Sequence, residues 1–146
     1  MLRKFFWINF LILSFFILDR FFKIFFLSRG AIHKKFGPLT FFLFKNSKIV
    51  FGFFSTNFWF DIIVVIILLF LIFRLKEAYL AKNFTPLFAY TLIIIGALDN
   101  ILDRIKYGFV IDYINLGPWH IFNLADLMIL IGVIVILVNF FGRRNI

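Results

Sequence analysis

Two aspartates set the chemistry to be considered. Asp112 and Asp126 stand at either end of "DYINLGPWHIFNLAD", in a chain of 146 residues that is 64% hydrophobic and only 16% charged. An ionisable side chain at membrane depth costs a few kcal/mol on insertion scales, so its presence there points by default to function. Two carboxylates brought together cannot both ionise cheaply. One pKa rises and the pair shares a proton, so one member can take a proton from water while the other donates to a carbonyl oxygen. That is aspartyl-peptidase chemistry. The same pair also suits a proton or ion relay in a small transporter, and the residues alone leave both readings open.

Composition removes several other chemistries. The chain has no Cys, which excludes disulfides, thiolate nucleophiles, Cys zinc sites and iron–sulfur clusters. His33 and His120 are the only imidazoles and lie in separate connections, so a metal would need carboxylates for most of its ligands. No metal and no cofactor is expected. The net charge of +9 comes from basic residues that flank apolar segments, which suits anionic lipid head groups and not nucleic acid.

Further polar residues gather near the two aspartates. In "GALDNILDR", Asp99 and Asp103 are four apart, as are Asn100 and Arg104, so all four share one broad helical face. Gly96 and Ala97 would let a neighbouring helix approach closely. Asn123 precedes Asp126 by three positions and is a natural helix cap. Asp112 is expected on a loop between the helices, with Gly117 and Pro118 ending one element so that the chain can return Asp126 toward it. Asp103 beside Arg104, and Asp19 beside Arg20 and Lys23, also read as interfacial ion pairs.

The elements that must position these groups are membrane helices. About 20 apolar residues cross the hydrocarbon, and four segments qualify, at about residues 5–24, 58–73, 85–102 and 121–141. Together they predict an all-α polytopic membrane protein, a single unit over residues 1–146. The basic, apolar start resembles a signal peptide, but "DRFFK" follows where a small-residue cleavage site would stand, so it reads as a retained first helix. Thr85 is expected to cap the third helix, with Pro86 as its first residue. Between the first two helices, at about residues 38–54, "LTFFLF" and "IVFGFF" flank the polar "KNSK" and predict a β-hairpin at the membrane surface. An even number of spans puts both termini on one side. Basic residues do not say which: Arg3, Lys4, Arg74, Lys76, Lys82, Arg143 and Arg144 fall on that side, and the remaining nine fall opposite.

"GALDNILDR", "VIDYI" and "FNLAD", in that order and followed by a last apolar helix, resemble the signature blocks of the lipoprotein signal peptidases, also called signal peptidase II. "LDRFFK" and "KNSKIVF" resemble that family's first two blocks, so the resemblance spans essentially the whole chain. It implies a catalytic dyad of Asp112 and Asp126, with Asp19, Asn46, Asn100, Asp103, Arg104 and Asn123 in support. It further implies four transmembrane helices with a small β-cradle after the first, residence in the bacterial cytoplasmic membrane, both termini cytoplasmic, and a site near the outer face. The implied partners are membrane lipids and a prolipoprotein signal peptide, cut just before a Cys that carries a diacylglyceryl group; a monomer is expected. The alternatives are a proton-coupled transporter and a non-catalytic lipoprotein-binding membrane protein. The chain departs from the family's pattern in two places. Lys48, Ile49 and Val50 stand where Gly and small residues usually follow Asn46, and Asp99 stands where Gly is usual.

Overall fold

The computed structural model describes residues 2–30, 33–49, 54–55, 58–117 and 120–142. Helix α1 (Leu2–Arg29) leads into four strands, β1 (Lys34–Phe36), β2 (Leu39–Asn46), β3 (Lys48–Ile49) and β4 (Phe54–Ser55). Helices α2 (Phe58–Leu80) and α3 (Phe84–Tyr107) follow, then β5 (Val110–Leu116), β6 (Ile121–Phe122) and α4 (Leu124–Gly142). The molecule is therefore mostly helical with a small antiparallel sheet.

Helix α3 is the centre of the bundle and packs on each of the other three helices. Its Leu92 meets Ile12 of α1 and Met128 of α4, while Leu87 and Tyr90 meet Ala78 of α2. Contact with α4 is closest. A Cβ on Gly96 would stand 2.6 Å from the Ala125 carbonyl oxygen, and one on Gly132 would stand 2.7 Å from the Ala89 oxygen. Gly96 thus serves the close approach that its size suggested. Among the described residues, α3 and α4 are long and apolar enough to cross a membrane. Helices α1 and α2 also expose broad apolar surface, including Phe10, Leu13 and Ile17 on α1 and Ile63, Ile66 and Phe70 on α2.

The helix ends differ from the sequence expectations. Helix α2 runs seven residues beyond Phe73, taking in Arg74, Lys76 and Glu77. These residues are strong helix formers, and Arg74 and Glu77, three apart, form an ion pair on the helix surface. Helix α3 begins at Phe84 with Asn83 at its cap, so Pro86 sits within the first turn and Thr85 is not the cap. It continues past Leu102 to Tyr107, where Gly108 takes the left-handed conformation (φ 79°) and returns its N–H to the Arg104 carbonyl.

The strands also pair differently. The larger sheet has the order β1-β2-β5-β6, and β3 pairs with β4 in a separate two-stranded sheet. Among the described residues the pairing expected across "KNSK" is not seen, since β2 has β1 on one edge and β5 on the other. Strand β2 instead turns back onto β1 at Gly37 and pairs along its other edge with β5, Asn46 facing Val110 and Phe44 facing Asp112. The segment carrying Asp112 is thus a strand and not a loop. Gly117 (φ 63°) ends it as expected. Pro118, residues 50–53 of the expected second strand, and Arg143 and Arg144 lie outside the described residues.

Candidate active site

Strand alternation decides what β5 presents. Ile111 and Tyr113 point one way and Asp112 the other. The Ile111 backbone N–H donates to Asp103 Oδ2 (3.2 Å), and on the first side Tyr113 Oη donates to Asp19 Oδ1 (2.8 Å). Stacking of the Tyr113 ring on Phe26 and its contact with Phe22 fasten the strand to α1. On the second side, Asp112 is 1% exposed. Its Oδ2 accepts from Asn46 Nδ2 at 2.8 Å, and its Oδ1 accepts from Asn123 Nδ2 at 2.7 Å. Burial and the negative charge of Asp126 push the Asp112 carboxyl up from 3.8 to about 7, although both amide donors favour its anion.

Asp126 is placed by the way α4 begins. Asn123 is the residue before the helix, and its Oδ1 accepts the Asp126 N–H (2.9 Å), while Asp126 Oδ2 accepts the Asn123 N–H (3.3 Å). This reciprocal arrangement is a capping box, which satisfies two N–H groups that the helix start would leave open. "FNLAD" therefore has a local structural reason as well as a chemical one. The other carboxylate oxygen, Oδ1, accepts from Asn100 Nδ2 at 2.8 Å. Asp126 is half-buried where Asp112 is buried, so the site opens on the Asp126 side.

Asn100 and Asn123 join the two aspartates. Asn123 Nδ2 also donates to Asn100 Oδ1 at 3.1 Å, so an unbroken chain of side-chain hydrogen bonds runs from Asp112 through Asn123 and Asn100 to Asp126. Beneath it lies a buried ionic cluster. Lys23 Nζ meets Asp19 Oδ2 at 2.8 Å, Asp103 Oδ2 at 2.9 Å, Asn100 Oδ1 at 3.0 Å and Asp99 Oδ2 at 3.2 Å. Arg20 spans Asp99 Oδ1 and Asp103 Oδ1. Asp19 also accepts the Leu124 N–H at 2.9 Å and so anchors the start of α4 to α1.

Of the residues expected at the site, Asp112, Asp126, Asp19, Asn46, Asn100, Asp103 and Asn123 enter this network. Arg104 is half-buried on α3 and its carbonyl accepts the capping N–H of Gly108, while Asp99 and Asp103 form their ion pairs with Arg20 and Lys23. The network also holds Lys23, Arg20 and Tyr113, which the expected set omits. Lys23 four residues after Asp19 on one helix was a visible signal. Tyr113 had none until the strand was known.

Comparison with known proteins bears on the family and the overall fold. Residues 11–142 match the family model described as signal peptidase (SPase) II. The chain is 37% identical over 149 residues to the lipoprotein signal peptidase of Buchnera aphidicola subsp. Schizaphis graminum, covering 94% of this chain and 96% of that one. It is 34% identical over 140 residues to the lipoprotein signal peptidase of Wigglesworthia glossinidia brevipalpis, covering 90% and 92%. A bacterial membrane enzyme solved by the in meso method at 2.3 Å resolution superposes with a TM-score of 0.82 at 28% identity, covering 94% of this chain and 88% of that one.

Proposed function

The chain belongs to the signal peptidase II family, and from that premise we propose that it is an aspartyl endopeptidase removing the signal peptide from diacylglyceryl-modified prolipoproteins, with Asp112 and Asp126 as its catalytic pair. Family membership supports a membrane protease of prolipoproteins. One observation carries the finer reading: Asn123 donates its amide to Asp112 while its backbone and side chain fix Asp126, so a single residue sets both carboxylates.

The chemistry follows from a pair sharing one proton. The ionised carboxylate takes a proton from water as that water adds to the scissile carbonyl, and the protonated one donates to the carbonyl oxygen. The proton then passes to the nitrogen of the lipidated Cys as the C–N bond breaks, and the two aspartates exchange roles. A carboxyl raised to about 7, as Asp112 is, holds such a proton near neutrality. The coupled pair titrates as a unit.

Four membrane spans, α1 to α4, in a single peptidase unit make this arrangement work. The acyl chains of the substrate stay in the bilayer while its peptide reaches the half-buried Asp126. With both termini in the cytoplasm, the C-terminal end of α3, strand β5 with Asp112 and the start of α4 with Asp126 face the outer surface, where water is at hand. The partners on this reading are the prolipoprotein and the surrounding lipid, and the monomer suffices because both aspartates come from one chain.

The test is cleavage of a diacylglyceryl prolipoprotein by purified protein in detergent or liposomes, with and without a chelator. Asp112→Asn and Asp126→Asn should each abolish release of the signal peptide in folded protein, and the chelator should have no effect. Full activity in either variant sinks the mechanism. Ion flux without peptide release would favour a transporter.

A further inference from the structure

The ionic cluster beneath the dyad contains more acceptors than its lysine can serve. Lys23 Nζ donates to Asn100 Oδ1 at 3.0 Å and to Asp99 Oδ2 at 3.2 Å, while Asp19 Oδ2 and Asp103 Oδ2 lie at ion-pair distances of 2.8 Å and 2.9 Å, so four acceptors surround its three N–H hydrogens. Lys23 is 1% exposed, so water cannot make up a shortfall. Three carboxylates here face two cations, and Asp99, with no exposure, has only Arg20 and Lys23 as its ionic partners among the described residues.

What Lys23 does for Asn100 reaches the dyad. Asn100 Oδ1 accepts from Lys23 Nζ and from Asn123 Nδ2, and this fixes which end of the amide faces Asp126. With Oδ1 so held, Nδ2 donates to Asp126 Oδ1. Were the amide turned over, an N–H would face the ammonium and an oxygen would face the carboxylate, both of them repulsive.

We propose that Arg20 is a positioning residue for the dyad: by holding Asp99 it leaves Lys23 free to orient the Asn100 amide toward Asp126. Arg20 itself touches neither aspartate of the dyad. Its guanidinium, 22% exposed, pairs Nε with Asp99 Oδ1 and Nη2 with Asp103 Oδ1 at 2.6 Å. Without it, Asp99 and Asp103 are both left with Lys23 as their cation, but Asp103 keeps the Ile111 N–H as a further donor and Asp99 has no such support among the described residues. A buried charge draws the nearest donor strongly, so Lys23 shifts toward Asp99 and away from the neutral Asn100 oxygen. Arg20 and Asp99 therefore compensate each other, and the damage from losing Arg20 comes from the charge left on Asp99.

This inference rests on the peptidase reading, and its test separates the two. Purified wild type, Arg20→Met, Asp99→Asn and the double variant are assayed on a synthetic diacylglyceryl prolipopeptide, with thermal unfolding measured alongside. Arg20→Met should lose at least tenfold in kcat with KM within twofold, and Arg20→Lys should recover most of that loss. The double variant, which also removes the Asp99 charge, should return to within threefold of wild type. A purely structural network predicts the reverse, because removing a second member adds to the harm. The proposal is overturned by a double variant no better than Arg20→Met in folding or in turnover, and equally by an Arg20→Met enzyme of wild-type kcat. No cleavage by wild type would instead overturn the peptidase reading.

Discussion

Asn123 and Asp126 cap each other at the start of α4, the Asn123 side chain accepting the Asp126 N–H and the Asp126 side chain accepting the Asn123 N–H. The same Asn123 amide donates to Asp112, so capping and catalysis can be separated by substitution. Asn123→Ser keeps a good cap but cannot donate an amide to Asp112, and it should fold with near wild-type stability while kcat falls roughly 10- to 100-fold. Asn123→Ala should lose the cap as well, at about 1 kcal/mol of stability. Unfolding curves beside cleavage rates check this, and equal stability loss in both variants would contradict the division of roles.

Asp112 should make stability depend on pH. Its folded pKa of about 7 exceeds the ordinary 3.8, so the folded chain keeps a proton that the unfolded chain has already released. Its contribution therefore falls as pH rises from about 4 to about 7 and is level beyond. Asp112→Asn removes the effect and should gain on wild type in denaturant unfolding, by more at pH 7 than at pH 4. In turnover the shared proton is required, so wild-type kcat/KM should decline above about pH 7. A rate that climbs steadily into alkali speaks against a shared proton.

Asn46 tunes that decline from the sheet. Its Nδ2 supplies one of the two amide hydrogen bonds that favour the Asp112 anion. Asn46→Ala removes this donor, so the Asp112 carboxyl should rise further and the alkaline limb of kcat/KM should move up by about one unit. Turnover at neutral pH should fall roughly tenfold as the carboxylate loses one side of its support. A limb that moves down, or stays fixed while activity drops, would show that Asn46 acts on something other than Asp112.

The proposed dyad is legible in the sequence through the family resemblance of its blocks and through local pattern. Asn123 and Asp126 form a motif within one helical turn, and Asp112 sits in an apolar context where a carboxylate is conspicuous. The ionic cluster was less legible, since Lys23 and Asp99 meet only through the packing of α1 on α3, and that packing depends on which helix faces turn inward. Strand pairing was misread for a related reason. "LTFFLF" is apolar without alternation, so nothing in it distinguishes a local partner after "KNSK" from β5, which lies beyond two further helices. Helix ends were missed where charge stopped the count of apolar residues at Phe73 and Leu102, although charged residues such as Arg74 and Arg104 extend helices readily.

The α3–α4 contact offers a final separation of stability from positioning. Gly96 packs against the Ala125 carbonyl, one residue before Asp126, and lies one turn before Asn100 on α3. Gly132 makes the equivalent contact with Ala89 and Ile93 deeper in the bundle, well away from the dyad. A methyl at either place forces the helices apart and should cost about 1–3 kcal/mol, partly offset by the better helix propensity of Ala. Only at Gly96 does the displacement act on the distance between Asn100 and Asp126. Gly96→Ala should therefore lose roughly tenfold or more in kcat, while Gly132→Ala, similarly destabilised, keeps turnover within about threefold below its melting range. Equal losses of kcat in the two would mean that the bundle moves as a whole and that the Asn100 contact to Asp126 is not the sensitive element.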